Sequence, residues 1–169
     1  MSTKMIARCG VLAAISIILV YLFHFPLLPQ VPFLEYDPAD IPIYFSTLMF
    51  SPIDGMIITI IASIIQGVTV SSSSGIIGII MHIFATGTFV IVLGAANKRF
   101  SKLVSILLGV AAMTIIMIIW NLIFTPLFLG TPINAVIPLL PFIIAFNIIK
   151  GTINGLVAYG LTFIKVAKE

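Results

Sequence analysis

Apolar residues fill six stretches of this chain, and prolines, glycines, serines and most of the charges fall in the short segments between them. The stretches cover about 5–23, 39–50, 56–70, 76–95, 103–125 and 138–164. Each of the long ones approaches the roughly 20 residues that a helix needs to cross the ~30 Å hydrocarbon core of a bilayer. The pattern therefore predicts six transmembrane helices. The first carries small residues at Ala7, Gly10, Ala13, Ala14 and Ser16, and His24, Pro26, Pro29 and Pro32 end it, because proline has no amide donor and restricts the residue before it. The second is too short to cross unaided, so it is expected to start inside the preceding loop, with Asp37 as N-cap and Pro38 at its first position. Ser51–Gly55 reads as a connection, Ser71–Ser74 with Gly75 as an outer turn, and Gly130–Asn134 as an uncharged outer loop after a helix that breaks near Pro126.

Composition turns this pattern into a class. Hydrophobic residues are 61% and charged residues 8% of 169, with a mean hydropathy of +1.30, against about 45–50% and 25% in soluble domains. The expectation is an all-α integral membrane protein in which residues 1–169 form a single membrane domain. No cleavage site follows the basic start and first apolar run, so a retained span is expected rather than a signal peptide. Lys4, Arg8, Lys98, Arg99, Lys102, Lys165 and Lys168 flank the spans on one side, which predicts an N-in, C-in topology by the positive-inside rule. Cations so placed face a lipid bilayer, and no nucleic-acid partner is expected. The single Cys9 excludes an intramolecular disulfide, and no metal-ligand spacing is present.

Candidate chemistry lies where polar groups enter apolar runs. Lys150 sits about nine residues into the last span, roughly 13 Å along it, where an uncompensated lysine costs on the order of 3 kcal/mol. Asn147, Lys150 and Asn154 share one helical face by their i, i+3, i+7 spacing. Two readings stand: an internal pair, for example Lys150 with Asp40, or a wall of donors facing a buried ligand. Asn121 and Thr125, with Trp120, Phe124 and Phe128 nearby, and His82, Thr86 and Thr88 fall at comparable depth. With Leu34, Tyr36 and Asp40 from the acidic loop, they are expected to converge on one aromatic-lined small-molecule pocket. A lone His or Asn in a span also serves as glue between helices, and that reading stays open for His82. Asp37 and Asp40 are the alternative, as acids of a small membrane enzyme. No Walker A loop is present, so the chain is not expected to hydrolyse ATP itself.

Nearly the whole chain resembles the substrate-binding S components of energy-coupling factor (ECF) vitamin transporters, and within them the riboflavin-type branch. The resemblance rests on the small-residue start of span one, the loop Leu34–Pro42, the stretch Gly75–Thr88, Ala112-Met113-Thr114 leading to Asn121, and Pro141 through Phe146-Asn147-Ile148-Ile149-Lys150-Gly151. It implies an ECF S-component-like bundle that binds a vitamin from the outer side of a bacterial plasma membrane, and is not an enzyme. It also implies docking on a transmembrane T subunit coupled to two ABC-type ATPase subunits, with no cofactor or metal beyond the transported ligand. Asn121, Asn147 and Lys150 match positions that line the flavin site in riboflavin-type members, and Gly10 and Ala14 match the surface that meets the T subunit. Sister branches carry pantothenate, pyridoxine-like or hydroxymethylpyrimidine ligands, and these remain alternatives to riboflavin.

Overall fold

The computed structural model describes residues 2–70 and 75–164. The expected turn at Ser71–Ser74 and the basic residues Lys165 and Lys168 lie outside them. The order of elements is α1 (Thr3–Leu22), β1 (Phe25–Pro26), β2 (Glu35–Tyr36), α2 (Asp40–Met49), α3 (Pro52–Val68), α4 (Gly75–Ala96), α5 (Lys102–Leu129), the single turn α6 (Ile133–Val136), a 3-10 turn over Ile137–Leu139, and α7 (Leu140–Leu161). The helices close a circuit in which α1 packs on α3, α3 on α4, α4 on α5, α5 on α7, α7 on the short α2 and α2 on α1. Helix α2 also touches α3 and α4, so it crosses the interior of the bundle. That position explains why Asp40, Pro42, Ile43, Tyr44, Ser46, Thr47 and Leu48 are all buried.

Helices α1, α4 and α5, and the segment Ile133–Leu161, are long and apolar enough to cross a membrane, whereas α3 has 17 residues and α2 has 10. Helix α2 therefore reaches only about 15 Å. Ile6, Val11, Ile18, Ile76, Ile115 and Leu127 are among many large apolar residues exposed on the outside. Such a surface suits lipid, and the protein is a membrane protein.

Several boundaries differ from those expected. Asp37 does not cap α2 at its first turn; the helix starts at Asp40, and the Asp37 carboxylate instead accepts the amide of Ala39 at 3.0 Å. Helix α3 begins at Pro52, four residues early, because Ser51 caps it through the amide of Asp54 at 3.2 Å and proline suits the first helical position. Helix α5 runs through Pro126 to Leu129 and ends at Gly130, whose left-handed conformation (φ 64°) lets its amide close on the Pro126 carbonyl. Proline removes only one bond near a helix end, a loss that membrane helices tolerate. The expected outer loop after it contains the α6 turn.

The segment between α1 and α2 is a short antiparallel hairpin pairing Phe25 with Tyr36 and Pro26 with Glu35, which the proline-rich sequence concealed. At the centre of the bundle Tyr44 stacks on Phe89 with centroids 3.8 Å apart, and Phe89 lies against Gly109, Gly151 and Gly155, where side chains would intrude. Near the opposite end, Arg8 pairs with the buried Asp54 and lies 4.4 Å over the Phe50 ring. Arg8, expected only as a topology marker, thus ties α1 to the start of α3.

Candidate functional site

A cavity of about 1180 Å³, counting its open mouth, lies at the hairpin end of the bundle. Its polar floor is built around Lys150. The Lys150 Nζ donates to Asp37 Oδ2 at 2.8 Å and lies 3.7 Å from Asp40 Oδ2. Both carboxylates are almost fully buried, a placement that requires pairing. Asp40 is held from its other side, accepting from Thr86 Oγ1 at 2.9 Å with His82 Nε2 at 3.2 Å. His82 Nδ1 is 2.7 Å from Ser63 Oγ, which donates to the Thr59 carbonyl. One chain of contacts therefore runs from the loop through α7, α2 and α4 to α3.

The loop is fixed onto α7 just behind this floor. Tyr36 donates from its hydroxyl to Asn154 Oδ1 at 2.9 Å, and Asn154 Nδ2 donates to the Asp37 carbonyl at 3.0 Å. Burial pushes the Tyr36 phenol up, which keeps its hydroxyl a donor across neutral pH. Asp37 thus uses one carboxylate oxygen to order its own turn, the other to meet Lys150, and its carbonyl to meet Asn154.

Of the residues expected at a ligand site, Leu34, Asp40, His82, Thr86, Thr125, Asn147 and Lys150 line the cavity. Tyr36 and Asn154 act behind the wall as described. Asn121 is fully buried and engaged within its own helix, donating to the Met117 carbonyl and accepting from Thr125 Oγ1, each at 2.8 Å. Lys150 does have an internal carboxylate partner, but Asp37 is the closer one and Asp40 the more distant. The aromatic wall differs in part: Phe128, expected near the site, lines the cavity together with Phe33 and Phe146. Trp120 instead sits between Phe84 and Phe124, with centroids at 4.3 and 5.1 Å. Gly10 and Ala14 are exposed, while Cys9, Ala13, Ser16 and Val20 form the inward face of α1.

Sequence reasoning passed over α3, which contributes Ser63 and Gln66 to the wall. The signal was present in the i, i+3 placement of Ser63 and Gln66 in the otherwise apolar second half of the helix.

Comparison with known proteins fits this architecture. Residues 4–162 match the family described as "ECF transporter, substrate-specific component". The riboflavin transporter FmnP of Bacillus subtilis is 30% identical over 98% of this chain and 93% of its own length. The riboflavin transporter RibU of Streptococcus thermophilus is 29% identical over 96% of this chain and 82% of its own. A solved structure described as the S component of a bacterial ECF transporter superposes with a TM-score of 0.81 at 26% identity, covering 96% of this chain and 98% of that one. The chain belongs to the substrate-specific components of the ECF transporters.

Proposed function

We propose that this protein captures riboflavin in the hairpin-end cavity and carries it across a bacterial plasma membrane as the S component of an ATP-driven ECF importer. The observation that carries the ligand class is the state of Lys150, whose ammonium already faces two carboxylates. Pantothenate would bring a third carboxylate to that floor, and buried like charges without partners are strongly disfavoured. A neutral ligand with many hydroxyl and carbonyl groups meets a floor of donors and acceptors with no charge to spare. The three phenylalanines of the wall suit the faces of a planar ring. The two relatives named as riboflavin transporters support the same ligand.

Lys4, Lys98, Arg99 and Lys102 lie at the end of the bundle opposite the cavity. The positive-inside rule then sets that end in the cytoplasm and opens the cavity outward. Asp37 and Asp40, the acids of the alternative enzyme reading, are committed to Lys150, and this favours a binding role. The partners in this reading are the T subunit and two ABC-type ATPases, with Gly10 and Ala14 on the outer face of α1 as the docking surface.

Two measurements test these assignments. Purified protein should carry flavin absorption bands, and ligand-free protein should quench the fluorescence of added riboflavin with saturable stoichiometry; saturable pantothenate binding with no flavin response would replace the ligand. Gly10→Leu and Ala14→Leu should leave riboflavin affinity within about twofold, because a Cβ at Gly10 meets nothing within 4 Å and surface changes of this kind stay near ±0.5 kcal/mol. Uptake by the assembled transporter should fall sharply in both variants. Normal uptake would remove α1 from the docking surface.

A further inference from the structure

We propose that Gln66 recognises the cyclic imide edge of the ligand, pairing its carboxamide with the N–H and carbonyl groups of a planar heterocycle; this rests on the flavin reading above. Among the described residues, several buried side-chain atoms lack a hydrogen-bond partner, and only Gln66 Oε1 and Asp40 Oδ2 belong to residues lining the cavity. Asp40 Oδ2 has the Lys150 ammonium 3.7 Å away. Gln66 Oε1 has no such compensation, and a buried acceptor left unmade costs about 1–3 kcal/mol. A ligand N–H removes that cost on binding.

The surroundings select the kind of donor. Gln66 stands at the outer part of α3, where α3 and α4 approach closely: a Cβ at Gly67 would fall 2.1 Å from Ile79 Cγ1. That contact fixes the backbone bearing Gln66. Ile77, Gly78 and Ile79 of α4 also line the cavity, and Ile79 meets α3 beside Gln66, so apolar side chains and bare backbone that suit a flat ring edge lie next to the carboxamide. Further polar side chains of the wall are His82 and Thr86 on α4, Thr125 on α5 and Asn147 and Lys150 on α7, where a flexible hydroxyl chain finds several partners. A carboxamide presents an acceptor beside a donor. A cyclic imide presents a donor flanked by acceptors on both sides, so the pair forms with either orientation of the amide. The ligand is thereby read at two poles, the imide by Gln66 of α3 and the polyol by the polar groups of the other helices.

The test measures fluorescence quenching of three flavins, namely riboflavin, its N3-methyl derivative and lumiflavin, which keeps the ring and lacks the ribityl chain. Gln66→Met should weaken both riboflavin and lumiflavin about tenfold, the equivalent of one hydrogen bond. The wild-type preference for riboflavin over the N3-methyl compound should largely disappear in that variant. Gln66→Glu keeps an acceptor and should retain the preference, and it decides the matter if Gln66→Met unfolds, as judged by thermal unfolding in detergent. Equal affinities of wild type and Gln66→Met overturn the proposal. So does a loss confined to riboflavin with lumiflavin unchanged, which would assign Gln66 to the polyol. Absence of any flavin binding by the wild-type protein overturns the flavin reading and this assignment with it.

Discussion

Lys150→Met is expected to abolish high-affinity ligand binding and to destabilise the fold by about 3–5 kcal/mol, the usual cost of stripping a buried ion pair of one partner. The variant leaves Asp37 and Asp40, 2% and 1% exposed, facing one another without their shared cation. Two consequences separate the structural role of Lys150 from its role toward ligand. The triple variant Lys150→Met, Asp37→Asn, Asp40→Asn removes all three charges with little change of volume and should regain most of the lost thermal stability, because replacing a whole buried ionic group is far less harmful than halving it. It should not regain binding, since the donor on the floor is still missing. Thermal unfolding in detergent and flavin quenching read the two effects independently. A Lys150→Met protein that unfolds at the wild-type temperature would mean that the contacts with Asp37 and Asp40 contribute nothing to the fold.

Gly94→Ala is expected to destabilise the protein by about 1–3 kcal/mol, the range for overpacking a tight contact. A Cβ at position 94 would fall 2.1 Å from Cγ and 2.7 Å from Cβ of Pro52. The proline ring cannot swing aside, and it occupies the first turn of α3, so relief requires moving α3 from α4. The site lies at the end of the bundle away from the cavity, and the fraction that folds should bind ligand with unchanged affinity. Gly160→Ala is the matched control, with nothing within 4 Å of the added Cβ. It should be neutral or stabilising by up to about 1 kcal/mol, the helix-propensity difference between the two residues. Equal melting temperatures for the two variants would show that α3 and α4 are not in the contact described.

The positions of the helices were largely legible in the sequence. Hydrophobic runs and their punctuation are local signals, and a membrane helix must satisfy its own backbone wherever it lies. The errors were local as well. Pro126 signals a break by residue type, although proline near the end of a membrane helix removes one bond, and Pro52 falls in an apparent linker, although after Ser51 it starts a helix. The candidate site was legible as a set of residue types. Lysine in an apolar run demanded a partner, and an acidic loop offered several.

Which partner it took was beyond the sequence. Lys150 and Asp37 are 113 residues apart, and periodicity carries no information on that scale. Asn147, Lys150 and Asn154 share a face of α7, but two turns separate the first from the last, so Asn147 reaches the cavity while Asn154 meets the loop behind it. Asn121 looked equally available and is spent within its own helix. The sequence by itself determined a lipid-facing helical bundle with polar groups that had to be compensated, because hydrophobicity and backbone hydrogen bonding act residue by residue. Only the tertiary structure decided that Asp37 meets Lys150, that Gln66 stands on the wall and that Trp120 does not, because those contacts depend on how the hairpin and α2 enter the bundle.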